Sequence, residues 1–427
     1  MNHHFVREKR IDITRLPNGL TVATEQMPEI ATATLGVWVG TGSRHEMAHE
    51  HGLSHLIEHM AFKGTARRSA RQIAEDIENV GGDINAATSV EHTSYTARVL
   101  GENIDVALDV LGDILINSAF DAAELAREKS VILQEYAAVE DTPDDLIYDA
   151  FMEVAYGGQP IGRPILGTPD TIKSFDEATI RAFMAREYAP GKMVLAAAGD
   201  VDHARIVDTA ERLFGGMPSV DAREPESGLY SGGERRISRK LEQATLVLGL
   251  PGLSFKDPDY YATHLFTHIL GGGLTSRLWH EVRENRGLAY SIDAFHWPFS
   301  DTGLFGIGAG TAGSDVRELM DVTRECTRQA TADISEIEMV RAKAQMKVAL
   351  LTALETPGGR IERIARQLLS WGRIVPSDEI VLKVDALTVD QVQEAGKRLL
   401  CGDPTLAAIG PIKGLPSLEK IASGLRG

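Results

Sequence analysis

The chain has 427 residues, with 44 lysines and arginines against 61 aspartates and glutamates, for a formal net charge of −17 at pH 7. That length suits two or three domains, and the acidity argues against binding nucleic acid or an anionic membrane surface. No apolar run approaches the roughly eighteen residues of a membrane span. Met1 to Gly19 contains no apolar core of a secretory signal, and His3 and His4 are too few, and too near a free end, for a metal site. Cys326 and Cys401 form no Cys-x-x-Cys pair. Together these features predict a cytoplasmic chain with no nucleic-acid or membrane partner.

Thr34 to Val39 is a run rich in β-branched and apolar residues and reads as a strand. The run HGLSHLIEHMAFKGT follows, and within it stands His55-Leu56-Ile57-Glu58-His59. Histidines four apart lie on one helix face, so both imidazoles can reach one metal ion, and Glu58 lies close to that face. The order His-x-x-Glu-His is the inverted form of a zinc-protease helix. It predicts two ligands and a carboxylate placed beside the metal rather than on it.

Ala70 to Val80 reads as an amphipathic helix, opened by Ser69 and Gln72 at capping-box spacing and closed by Gly81. Ile104 to Leu115 is a second such helix. A catalytic zinc takes three protein ligands and water, so one ligand remains to be found. His51 shares the phase of His55, but the helix only begins near Gly52. Glu91 and His92 follow a strand. The favoured segment is LAREKSVILQEYAAVEDTPDD, where Glu128 and Glu135 stand two helical turns apart and point the same way. One acid would bind the metal and the other would hydrogen-bond a ligand.

The second half repeats the first. Ala33-Thr34-Leu35 matches Ala244-Thr245-Leu246, and Leu195 to Gly199 matches Leu406 to Gly410, both at an offset of 211. Thr142-Pro143 matches Thr356-Pro357. His55 to His59 aligns with His264-Leu265-Phe266-Thr267-His268, which keeps both histidines and has Thr267 where the first copy has Glu58. A hydroxyl cannot act as a general base near neutral pH, so His264 and His268 are expected to be structural. Gly271 to Gly273 lack the ending of a phosphate loop and read as a turn. Alternating strands and helices predict an α+β fold of two duplicated domains, each a mostly antiparallel sheet packed with helices. The expected division is a catalytic half at 1–215, a linker at 216–235 and a metal-free half at 236–427.

These residues resemble the pitrilysin/insulinase-type zinc peptidases. The chain is most similar to the short bacterial members that resemble the β-subunit of the mitochondrial processing peptidase. The resemblance runs from Leu16-Pro17-Asn18-Gly19-Leu20 to about Gly410, and includes His59 to Thr65 and Gly81 to Ala86. The family carries a glutamate 76 positions after the second histidine, where this chain has Glu135, and another seven earlier, where it has Glu128. The resemblance implies one zinc ion held by His55, His59 and Glu135, with Glu128 supporting a ligand and Glu58 as general base. It implies that Asp83, Ile84, Asn85 and Ala86 form an edge strand that pairs with substrate. Arg283 and Tyr290, seven apart in GGGLTSRLWHEVRENRGLAYSI, match the family's substrate-holding arginine and tyrosine. The implied whole is an endopeptidase whose halves enclose a chamber for unfolded or presequence-like peptides, working as a homodimer. The alternative is a non-catalytic scaffold or a subunit that needs a partner; the intact motif argues for activity.

Overall fold

The computed structural model describes residues 10–220 and 223–426. His3 and His4 lie outside them. In chain order the strands and helices begin with β1 (Ile11–Arg15), β2 (Thr21–Gln26), β3 (Thr32–Val39), α1 (Leu53–Ala61), α2 (Ala70–Glu78), β4 (Asp83–Thr88) and β5 (Thr93–Leu100). Then come α3 (Ile104–Ile116), α4 (Ala122–Asp141), α5 (Pro143–Ala155), α6 (Pro169–Ser174), α7 (Glu177–Glu187), β6 (Met193–Gly199) and α8 (His203–Phe214). The rest of the chain forms β7 (Gly233–Ser238), β8 (Gln243–Pro251), α9 (Tyr260–Gly271), a π-turn at Trp279–Asn285, β9 (Ala289–Pro298), β10 (Gly303–Ala312) and α10 (Val316–Ala330). It closes with α11 (Glu336–Ala353), α12 (Pro357–Trp371), α13 (Ser377–Ala386), α14 (Val389–Leu400), β11 (Thr405–Gly410) and α15 (Leu418–Arg426). Among the described residues no helix is long and apolar enough to cross a membrane.

Two sheets organise these elements, in strand orders β1-β2-β6-β3-β5-β4 and β7-β11-β8-β10-β9. Each has one parallel pair, β2 with β6 and β7 with β11; every other pairing is antiparallel. The repeat extends to register. Thr34 pairs with Ala198 and Leu35 with Ala197, and the residues 211 further on pair alike, Thr245 with Ile409 and Leu246 with Ala408. Both copies end the central strand on a left-handed glycine, Gly199 at φ +115° and Gly410 at φ +112°. A Cβ there would press on the carbonyl of Thr32 or Gln243, so only glycine fits.

The chain halves are not the folded units. The first unit comprises residues 1–136, 164–226 and 350–378, and the second 137–163, 227–349 and 379–427. Relative to the halves expected from sequence, α5 has moved to the second sheet and α12 to the first. The physical reason is that each sheet is apolar on both faces. In β6, Met193, Leu195 and Ala197 pack with Leu35, Val37 and the helices α1, α2, α3 and α8 on one side. Val194, Ala196 and Ala198 face the other way, with Ala23, Met27 and Trp38, and are covered by Ile361, Ile364 and Ala365 of α12. A sheet buried on both faces reads as a continuous apolar run, which is what Met193 to Gly199 is. Burial of Ile361 and Ile364 contributes about 3–6 kcal/mol together. Two polar ties fix the helix: Trp38 Nε1 donates to Glu362 at 3.1 Å, and Arg360 pairs with the buried Glu25. In the second unit α5 lies along β7, β8 and β11, and Gly249 leaves room for the Phe151 ring. Residues 233–235, expected to end a linker, begin β7 instead.

Candidate metal centre

Helix α1 is only nine residues long, and its start is set by two features outside it. Gly52 caps it at φ +94°, where a Cβ would lie 2.7 Å from both Gly167 Cα and the Leu166 carbonyl oxygen. Glycine caps without a side chain, so the first-turn N–H groups need another acceptor. The buried Glu46 supplies it, accepting from Gly52 N at 2.8 Å and Ser54 N at 2.7 Å. Burial outweighs these two N–H donors and pushes the Glu46 pKa up to about 8, so near neutral pH the group is largely protonated and accepts as a neutral acid. His55 and His59 follow one turn apart, with ring centroids 4.6 Å from each other.

The third group comes from α4. Glu135 Oε2 lies 3.7 Å from His55 Nε2 and 3.7 Å from His59 Nε2. One ligand atom from each of the three residues falls within 4.8 Å of the others. Tetrahedral zinc with bonds of about 2.0–2.1 Å spaces its ligands roughly 3.4 Å apart, so the set fits that ion with a small contraction. The protonation pattern also fits. Burial first, then the neighbouring His59, pushes the His55 pKa down to about 4, so its imidazole is neutral. His55 Nδ1 is buried without a hydrogen-bond partner, whereas His59 Nδ1 bonds Glu128 Oε2 at 3.0 Å. A carboxylate only accepts, so His59 Nδ1 carries the proton and Nε2 turns a lone pair toward Glu135. Burial of Glu128 opposes its charge, but hydrogen bonds from Lys63 and His59 outweigh burial and hold its pKa below the usual range. Lys63 Nζ lies 2.8 Å from Glu128 Oε1. Glu58, on the same helix, is half-buried and hydrogen-bonded to no described residue, so its carboxylate is unspent.

The other ligand candidates are engaged elsewhere. His51 Nε2 bonds the Pro164 carbonyl at 2.7 Å, Glu91 pairs with buried Arg44 at 2.6 Å, and His92 Nδ1 bonds Ser89 at 2.9 Å. Asp83, Ile84, Asn85 and Ala86 lie on β4, which pairs only with β5 and so leaves one edge of the sheet open among the described strands. Asp83 itself is held by Arg98 across the pair at 2.7 Å. Arg283 and Tyr290 belong to the second unit and meet there. The Arg283 guanidinium stacks 4.9 Å from the Tyr290 ring centroid and 4.1 Å from that of Trp279. Tyr290 is 80% exposed. Lys63, Glu46 and Trp279 were not singled out from sequence. Lys63 stands two residues past the end of α1, and Glu46 reaches α1 through a loop; no periodicity describes either.

A family model described as "Insulinase (Peptidase family M16)" matches residues 21–169, and one described as "Peptidase M16 inactive domain" matches residues 174–346. An uncharacterized zinc protease of Rickettsia felis is 40% identical over 405 residues, spanning 95% of this chain and 98% of that one. A probable mitochondrial-processing peptidase subunit beta of Arabidopsis thaliana is 37% identical, spanning 98% of this chain and 82% of that one. A chain of the Candida albicans complex III2 structure shares the fold, with a TM-score of 0.87 at 24% identity over 97% of this chain and all of that one. Identity along the whole length, both family matches and a zinc-compatible His-x-x-Glu-His site agree: this chain belongs to the insulinase-type peptidase family M16.

Proposed function

We propose that this chain is a zinc-dependent endopeptidase acting on unfolded or presequence-like peptides. The observation that supports it best is the convergence of His55, His59 and Glu135 beside an unspent Glu58. Zinc in that set would supply Lewis acidity, making water acidic near neutral pH and polarising a peptide carbonyl. Glu58 accepts the proton of the attacking water and returns it to the leaving amine nitrogen. Glu128, fixed by Lys63, orients His59. The open edge of β4 receives the substrate as an added strand, so backbone hydrogen bonds hold peptides of differing sequence. Arg283 and Tyr290 bind substrate backbone or the developing oxyanion. The proposal includes a homodimer in the cytoplasm, a setting that suits an exposed free Cys401.

The test is metal analysis of the purified chain together with cleavage of a set of quenched fluorescent peptides, with and without chelator. One equivalent of zinc and chelator-sensitive cleavage are expected. The Glu58→Gln variant should keep its zinc and lose activity by about 10²–10⁴-fold. Full activity in that variant would overturn the mechanism. A second reading, a subunit active only with a partner, is favoured by the likeness to a chain named as a subunit. Sedimentation with the peptidase assay on the same fraction separates the two. Activity in a homodimer supports the first, and activity gained only on adding a second polypeptide supports the other.

A further inference from the structure

Trp279 opens the π-turn Trp279–Asn285, a rare geometry found frequently at functional sites. The turn is anchored from inside: Leu278 and Val282, four apart, are fully buried in the core of the second unit. Trp279 and Arg283 follow each of them by one residue, so they share a neighbouring face, and both are half-buried. There the Arg283 guanidinium lies over the Trp279 ring, 4.1 Å from its centroid, and over the Tyr290 ring at 4.9 Å. Other polar side chains nearby are spent on one another. Arg277 is held by Glu338 and Asp333, Arg286 reaches Glu318 at 3.2 Å, and Asn285 bonds Glu281 at 2.9 Å. Arg283 differs. Among the described residues it forms no hydrogen bond, and its ionic neighbour, the exposed Glu284, is 4.0 Å away.

The way an arginine is held decides what it can still do. A carboxylate partner takes in-plane N–H groups, the same groups that would bind a substrate carbonyl or an oxyanion. An aromatic ring takes only the face, so the N–H donors stay available at the edge. A free arginine side chain also loses rotamer freedom when it binds; one already stacked on a ring has lost that freedom beforehand. Of the two rings, Trp279 is suited to the holding role. Indole is the strongest aromatic partner for a cation, and Trp279 is the nearer ring and half-buried, whereas Tyr290 is 80% exposed. We infer that Trp279 is a positioning residue, which orders Arg283 for the substrate by stacking on its face while leaving its hydrogen-bonding edge free. The inference rests on the reading that Arg283 holds substrate. Trp279 acts wholly through Arg283.

The experiment is a double-mutant cycle on the full-length, zinc-loaded chain, with kcat and KM measured on the best-cleaved peptide of the fluorescent set. Trp279→Leu keeps apolar bulk and removes the ring; it should lower kcat/KM by about 3–30-fold. Trp279→Phe keeps a ring and should recover most of that loss. Arg283→Ala should lower kcat/KM at least as far, and through the same parameter, kcat or KM. In the Arg283→Ala background, Trp279→Leu should cost no more than about 2-fold further. Losses that multiply overturn the inference, as does a Trp279→Leu variant as active as wild type or a Trp279→Phe variant as poor as Trp279→Leu. If Trp279→Leu does not fold, Trp279→Met takes its place and the same cycle decides. Wild-type kcat/KM in Arg283→Ala would sink the reading of Arg283 as a substrate-holding group, and the inference with it. A loss in Arg283→Ala together with multiplying losses in the cycle would leave that reading standing and remove only the role of Trp279.

Discussion

Asp113 of α3 is fully buried and accepts four hydrogen bonds, and its neutralisation should loosen the segment that follows the metal helix. The donors are Thr65 Oγ1 at 2.7 Å, Arg68 at 2.8 Å, Asn117 at 2.9 Å and Arg67 Nε at 3.0 Å. Three of them belong to the segment that begins just after Lys63. Burial works to raise the Asp113 pKa, but these donors overcome it and bring the value down to about 2. Against an ordinary value of 3.8, the difference corresponds to about 2 kcal/mol of stability at neutral pH. A second route gives a similar figure. Breaking a buried ion pair costs about 3–5 kcal/mol, and Arg68 keeps Asp76 and Asp109, so Asp113→Asn should fall at or below the lower end. Because the folded pKa lies below the unfolded one, the stabilisation is complete above about pH 4 and is lost as the pH falls through about 2. Denaturant unfolding of wild type and Asp113→Asn at pH 7 and pH 3 measures both parts. The expected gap is about 2–3 kcal/mol at pH 7, shrinking by ~1 kcal/mol at pH 3. A gap below about 1 kcal/mol, or one that does not change with pH, would refute the reasoning.

Two further substitutions probe the centre more closely. Glu128→Gln should keep the fold and weaken zinc binding by about 10–100-fold in a chelator competition, because His59 loses its anionic partner; unchanged affinity would show that Glu128 does not support the ligand. Gly52→Ala should lower stability by at least about 2 kcal/mol, since it combines a left-handed φ with backbone contacts at 2.7 Å. A melting temperature equal to wild type would show that the start of α1 does not depend on that glycine.

Much of this was legible in the sequence because it depends on local pattern. The Ser69–Gln72 capping box is present, with Gln72 N 3.3 Å from Ser69 Oγ and Ser69 N 2.8 Å from Gln72 Oε1. The helix expected at Ala70 to Val80 spans Ala70–Glu78, and that expected at Ile104 to Leu115 spans Ile104–Ile116. Glu128 and Glu135 share α4, and their two-turn spacing put both on one face, but it was the family resemblance that paired them with the histidines. Gly271 and Gly272 close α9, as the turn reading expected. What the sequence did not reveal depends on contacts between distant segments. Thr142-Pro143 and Thr356-Pro357 marked equivalent points of the repeat, and each proline opens a helix, α5 and α12. Nothing local says which helix covers which sheet. Glu46 escaped notice for a related reason: its partners are backbone N–H groups, which carry no residue signature.

The exchange of α5 and α12 bears on how the chain is made. The first unit's segments are complete through residue 226 long before α12 exists, because residues 227–349 must be synthesised in between. At typical elongation rates that interval is roughly 6–25 s. Throughout it, Trp38, Met27, Val194, Ala196 and Ala198 lack their cover, and the buried acid Glu25 lacks Arg360. An unfinished apolar sheet face on the ribosome is a surface that chaperones hold and neighbouring nascent chains stick to. A gene cut near residue 226 would therefore yield two insoluble products when expressed separately. Expressed together, the two pieces carry every element each unit needs, and the missing helix would arrive from the other polypeptide.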